Sequence, residues 1–218
     1  MINSEMRKDA KKQRAQRKRR VANVSTRVTR KRSEDTDASP AIFTVGHSTR
    51  GFDEFVSLLK SHGIEAVADV RLIPKSRKHP QFADEYLAEN LPKHGIIYLP
   101  FKSLGGRRRP LKDSPNIGWR NESFRGYADF MQTPAFAEAL MELIEQASKR
   151  VTTTMCAEAV PWRCHRSLIS DALLVRGWRV LDIFSERKAT LHKLTPFAKV
   201  EGRKITYPAD NEVKDVLH

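Results

Sequence analysis

The chain has 218 residues, enough for one sizeable core, and its 39% hydrophobic content is low for a wholly compact protein carrying a net charge of +14. No apolar run approaches the roughly 18–20 residues that span a bilayer, and the charged N-terminus lacks the apolar stretch of a secretory signal, so neither a membrane nor a secreted protein is expected. Only two cysteines occur, Cys156 and Cys164, close together; that is no disulfide framework and points to a reducing, cytoplasmic setting.

The charge is unevenly placed. Residues 1–40 hold 13 Lys+Arg against 5 Asp+Glu and almost no large apolar side chains. Such a block cannot build a core, so it reads as a disordered basic arm. Residues 7–32 could tether nucleic acid by counterion release, or simply stay solvated. Residues 41–208 read as the folded body and residues 209–218 as a tail.

Ile42-Phe43-Thr44-Val45 reads as a buried strand ending in the tight turn Gly46-His47-Ser48. Over 51–62, Phe52, Phe55, Leu58 and Leu59 recur at helical spacing. Asp53 and Glu54 suit the positive end of that helix, and Gly63 stands where a left-handed cap is needed. A second strand runs from Ile64 to Val70 and into Arg71. A basic loop between Pro74 and Pro80, a helix over 83–91 and a strand over 95–99 follow. Residues 102–123 are a long irregular stretch, a length often given to lids or binding loops. Helices are expected over 124–131 and 134–148, with Pro134 at a first helical position. Thr152 to Cys156 is a β-branched strand, and the next helix is expected from Trp162 or Arg163 to Arg176, closed by Gly177. Trp178 to Ile183 is the last clear strand; beyond Phe184 the pattern weakens, with a terminal strand around Lys204-Ile205-Thr206-Tyr207. This alternation predicts a single α/β domain with an open, mostly parallel, Rossmann-like sheet and helices on both faces.

Open parallel sheets bind ligands beyond the carboxyl ends of their strands. Those ends gather Gly46-His47-Ser48, then Asp69 and Arg71, then Cys156, Glu158 and Cys164-His165-Arg166, then Asp182 with Ser185. Glu158 reads as a general acid or base made so by desolvation, or as an ion pair for Arg163 or Arg166. Cys156 or Cys164 is a candidate nucleophile, against the commoner fate of a small buried hydrophobe. Ten positions separate Cys156 from Arg166, more than in the short cradle of rhodaneses and cysteine phosphatases. Cys164-His165-Arg166 at a helix start offers backbone donors, an imidazole and a guanidinium to an anion. His165 also shares a helical face with Ile169 and Ala172, as a core histidine would, and Arg166 could instead pair with Asp69 or Asp182. His47 and Ser48 offer a proton relay and phosphate-facing amides, or a polar turn that caps the next helix. Arg71, Lys75, Arg77, Lys78 and Arg107-Arg108-Arg109 form a cationic rim, which suits an anionic substrate and equally a nucleic-acid surface.

His47, Asp69, Cys156, Glu158, Cys164 and His165 are metal-ligating types, but their spacing matches no standard zinc pattern, so no metal is assigned. Neither a dinucleotide fingerprint nor a P-loop follows the first strand, and the cofactor is left open.

Met155-Cys156-Ala157-Glu158, followed by Pro161-Trp162-Arg163-Cys164-His165-Arg166-Ser167, resembles the signature of the family catalogued as domain of unknown function 488. Thr44 to Thr49, Asp69-Val70-Arg71 through Pro74, the 76–82 loop and Phe124-Arg125-Gly126-Tyr127-Ala128 are similar to the same family, over about residues 42–207. The resemblance implies an α/β domain of the prokaryotic cytoplasm and brings no activity with it. The residues themselves predict a hydrolase or group transferase on an anionic, nucleotide- or nucleic-acid-related substrate. Glu158 would be general acid/base and His47 would assist. Arg166 and Arg71 would clamp the anion, with Ser48, Asp69, Arg77 and Tyr127 also on the substrate side. The alternatives are a non-catalytic nucleic-acid-binding module and a metal-binding or thiol redox-sensing protein.

Overall fold

A computed structural model of the chain describes residues 39–75 and 78–209. The basic arm through position 38, Arg77 in the basic loop, and the last residues of the tail lie outside the described residues. Six strands form one sheet: β1 (Ala41–Gly46), β2 (Ala66–Asp69), β3 (Ile97–Pro100), β4 (Thr152–Cys156), β5 (Arg179–Ser185) and β6 (Lys188–Leu191). Their order is β3-β2-β4-β1-β5-β6. The first five run parallel, and β6 pairs antiparallel to β5. Every residue of β2 and β4 is buried, as expected of parallel strands covered on both faces.

Helix α1 (Phe52–Ser61) and helix α2 (Asp84–Asn90) cover one face, where Phe55, Leu59 and Leu87 meet Val45, Val67 and Met155. Helices α3 (Glu122–Phe130), α4 (Pro134–Lys149) and α5 (Arg166–Leu174) cover the other, where Tyr127, Phe136, Leu140 and Leu168 meet Ile42, Ala68 and Cys156. Each fully buried Leu, Ile or Phe here contributes roughly 1.5–3 kcal/mol. Local chemistry sets the ends. Gly63 follows α1 at φ +66, Thr133 caps α4 ahead of Pro134, and Gly177 follows α5 at φ +80.

Three expectations need correction. The helix expected from Trp162 or Arg163 starts at Arg166. Pro161 instead opens a single 3-10 turn, Pro161–Arg163, and Cys164 is extended at φ −139, ψ 146. The weakly patterned segment after Phe184 holds more than the expected terminal strand, which is β8 (Lys204–Thr206): it also contains the mostly exposed edge strand β6 and a strand β7 (Lys199–Glu201) that pairs with β8, and Ile205 and Tyr207 are buried in the core beside α3 and α4. Finally, Asp182 does not join the strand-end site. Its carboxylate meets His192 Nδ1 at 3.2 Å, and Ser185 closes the β5–β6 turn with its carbonyl 2.8 Å from His62 Nε2.

β1 and β4 are neighbours, yet the chain leaves β1 through α1 on one face and leaves β4 through α5 on the other. Loops that part in opposite directions open a crevice at the carboxyl ends of the two strands.

Candidate thiol site

The crevice is built around Arg166. Its side chain is 1% exposed, and its guanidinium donates to Cys156 Sγ (3.0 Å), Thr44 Oγ1 (2.7 Å) and the Glu158 carbonyl (2.7 Å). No carboxylate among the described residues pairs with it, neither Asp69 nor Asp182, so the expected ion-pair partners are replaced by sulfur. A buried cation is costly unless an anion compensates it. The groups placed to supply that anion are the two thiols, Cys156 and Cys164, both free. Burial favours the neutral thiol, but for Cys164 a hydrogen bond from Cys156, the charge of Arg166 and the Arg166 amide (N to Sγ, 3.5 Å) outweigh it and bring the pKa down to about 7. Burial and the hydrogen bond with Cys164 push Cys156 well up. Of the two, Cys164 is the thiol held closer to its ionised form, beside the first amides of α5.

His165 stands beside that sulfur, its Nδ1 at 3.6 Å from Cys164 Sγ and its Nε2 at 2.9 Å from the Val70 carbonyl. A carbonyl only accepts, so Nε2 carries the hydrogen and Nδ1 presents a lone pair that accepts from Cys164 in its thiol form. Burial lowers the His165 pKa, which keeps the ring neutral and leaves Arg166, not an imidazolium, to balance the thiolate. The ring is fixed from two sides. A Cβ at Gly106 would lie 2.8 Å from Nδ1, and Tyr127 packs at 5.0 Å behind it. Tyr127, expected to contact substrate, is fully buried and donates its hydroxyl to the Leu104 carbonyl (2.8 Å); it positions His165.

A second buried layer lies beneath β1 and β2. Asp69 accepts three hydrogen bonds from Arg71, two from its guanidinium and one from its backbone amide, and one from the Tyr98 hydroxyl (2.8 Å). Arg71 also reaches the Phe82 carbonyl (2.8 Å) and His47 Nε2 (3.3 Å). His47 donates from Nδ1 to the Ser48 carbonyl (2.9 Å) and stacks on Phe82 at 4.1 Å. Burial first, then the charge of Arg71, lowers its pKa to about 4, so it is neutral and accepts from Arg71. Asp69 and His47 thus orient Arg71, and the free anion clamp expected at Arg71 is a guanidinium already engaged. The turn amides expected to face a phosphate are also taken. His47 N donates to the Cys156 carbonyl (2.9 Å) and Ser48 N, at φ +53, to that of Ala157 (3.0 Å).

What remains open is a cleft of about 390 Å³ with Cys156, Cys164 and His165 on its floor. Arg71, Arg107 and Arg163 supply cationic edges, Leu72, Ile73 and Phe124 an apolar wall, and Asn121 and Ser123 a polar corner at the start of α3. Glu158 lines the same cleft, but its side chain is exposed, not desolvated. Its structural part is played by its backbone carbonyl, which Arg166 holds and which leaves no room for a Cβ on Gly46 (1.8 Å). The 102–123 stretch is a built wall: Asp129 accepts from Leu111 N, Ser114 Oγ and Asn116 Nδ2 at 2.6–2.8 Å. Thr44 and the Asn121–Phe124 corner escaped sequence reasoning. A threonine inside an otherwise apolar strand was the one signal for the first; the long 102–123 stretch marked the second only as a general binding loop, without singling out its residues.

The family model described as Domain of unknown function DUF488 matches residues 51–173. The chain belongs to this family. The matched span of the DUF488 domain includes Arg71, Cys156, Cys164, His165 and Arg166, and leaves out β1, with Thr44 and His47, and the strands from β5 onward. No curated protein and no solved structure matches the chain. Among the described residues no group of three or more His, Cys, Asp or Glu is arranged to hold a metal ion, and no helix is long and apolar enough to cross a membrane.

Proposed function

We propose that this DUF488 protein is a thiol-dependent enzyme in which the Cys164 thiolate is the nucleophile for group transfer or hydrolysis on an anionic, nucleotide-like substrate. The observation that carries this is the buried Arg166 guanidinium, whose neighbours are two sulfurs and no carboxylate. Maintaining an uncompensated cation in a core is unfavourable, and a thiolate at the cleft floor relieves it while providing a nucleophile near neutral pH.

In this reading Cys164 Sγ forms a bond to the electrophilic centre as the leaving group departs. His165 Nδ1 passes a proton between the leaving group or the incoming water and the cleft. Arg107 and Arg163 hold the anionic part of the substrate, and the Phe124 ring beside Leu72 and Ile73 accepts a planar apolar part. Glu158, at the mouth, is a second proton acceptor for the released group.

The test is the rate of iodoacetamide labelling of Cys164 against pH, resolved by peptide mass spectrometry. A labelling midpoint near 7 supports the proposal. Labelling of both thiols only above about 9, the ordinary range of an unassisted thiol, would remove it.

A further inference from the structure

The nucleophile proposed above needs one sulfur, but the cleft floor holds two. Cys156 and Cys164 line the same cleft and are 3% and 5% exposed. One residue touches both, Arg166 through Nε to Cys156 and through its amide to Cys164. The two cysteines close a short loop whose turn, Pro161–Arg163, lies just ahead of Cys164.

We propose that Cys156 is the resolving thiol of Cys164, and that the cleft floor passes from a dithiol to a Cys156–Cys164 disulfide when hydrogen peroxide enters. This rests on the reading of Cys164 as a reactive thiolate. The Cys164 thiolate attacks one peroxide oxygen, the O–O bond breaks and water leaves after protonation, giving a sulfenic acid. Cys156 then loses its proton and attacks that sulfur; the S–O bond breaks and a second water leaves. Two thiols lose two electrons, and the peroxide gains them. A small monothiol resets the pair through a mixed disulfide.

The disulfide is of the labile kind. Forming it removes the thiolate that compensates Arg166 and leaves a buried guanidinium without its anion, so the reduced pair is the favoured form. Neighbouring thiols held this way spare the nucleophile from irreversible oxidation.

The experiment treats the full-length protein with a small excess of hydrogen peroxide, then maps both cysteines by mass spectrometry, with and without dimedone, before and after glutathione. Expected is an intramolecular disulfide in the native protein, reversed by glutathione. In Cys156→Ser, and independently in Cys156→Ala, Cys164 is trapped by dimedone and reaches the sulfinic acid roughly tenfold faster than in the native protein. Direct progress of native Cys164 to sulfinic acid, with no disulfide, would overturn the resolving role. Iodoacetamide labelling of the same samples separates the two proposals. Fast labelling without a disulfide removes only Cys156 as resolver, whereas a Cys164 inert to both reagents removes the nucleophile as well.

Discussion

Replacing Arg166 by Gln is the sharpest perturbation of the thiol site. The amide can still donate to Thr44 or the Glu158 carbonyl, but the charge is gone. The Cys164 pKa stands at about 7 against 9.0 for an ordinary thiol in spite of burial, and Arg166 acts on it through its charge, its amide and its side chain. A lowering of that size is worth about 3 kcal/mol in favour of the thiolate. With the guanidinium removed, desolvation and the Cys156 hydrogen bond remain, and the pKa should return to 9 or above. Near neutral pH the thiolate fraction then falls from about a half to about a hundredth, so labelling of Cys164 by iodoacetamide should slow ~50-fold. Arg166→Lys, which restores charge without the fork, should recover part of that rate. Because breaking a buried ionic contact costs roughly 3–5 kcal/mol, the assay belongs well below the variant's unfolding temperature, checked by circular dichroism. A folded Arg166→Gln protein whose Cys164 still titrates near 7 would refute the reasoning.

Three further expectations concern stability. Burial by itself lowers the His192 pKa, but hydrogen bonds to Asp171 and Asp182 outweigh it and raise it to about 9. This stabilisation, on the order of 2 kcal/mol after allowance for partial solvent access, is fully present below about 6.5 and is lost as pH rises through about 9. Urea midpoints across that window should fall in the native protein and stay flat in His192→Gln. His47 behaves oppositely: with its pKa lowered to about 4, stability is present above about 6.5 and lost as pH falls through 4. His47→Asn should flatten that acid limb of the urea profile. Gly46→Ala would set a Cβ 1.8 Å from the Glu158 carbonyl oxygen, forcing the β1 and β4 loops apart. It should cost roughly 3 kcal/mol and loosen Arg166, read as a lower Tm together with slower Cys164 labelling. A Tm within a degree or two of the native value would show that the loops part freely.

The elements were legible where local chemistry dictates them. Buried parallel strands need apolar or β-branched residues throughout, which marked β1, β2 and β4. Gly63, Pro134 and Gly177 mark helix ends because the backbone there excludes most other residues or favours these. The location of the cleft followed as well, since strand direction places Cys156 and the loop after it at a carboxyl end. The edge strand β6 was not legible. Its Lys188-Ala189-Thr190-Leu191 is mostly exposed and carries little apolar signal.

Sequence alone determined the parallel α/β class and the carboxyl-end position of the cleft, because hydrophobic periodicity reports how each residue stands to the faces of its own element. Tertiary structure decided the strand order and every polar partnership. It turned Arg166 inward to Thr44 and two sulfurs, tied Arg71 to Asp69 and His47, and drew Asp182 away to His192. Such choices rest on contacts between segments distant along the chain, where burial, not local propensity, sets which charge meets which partner.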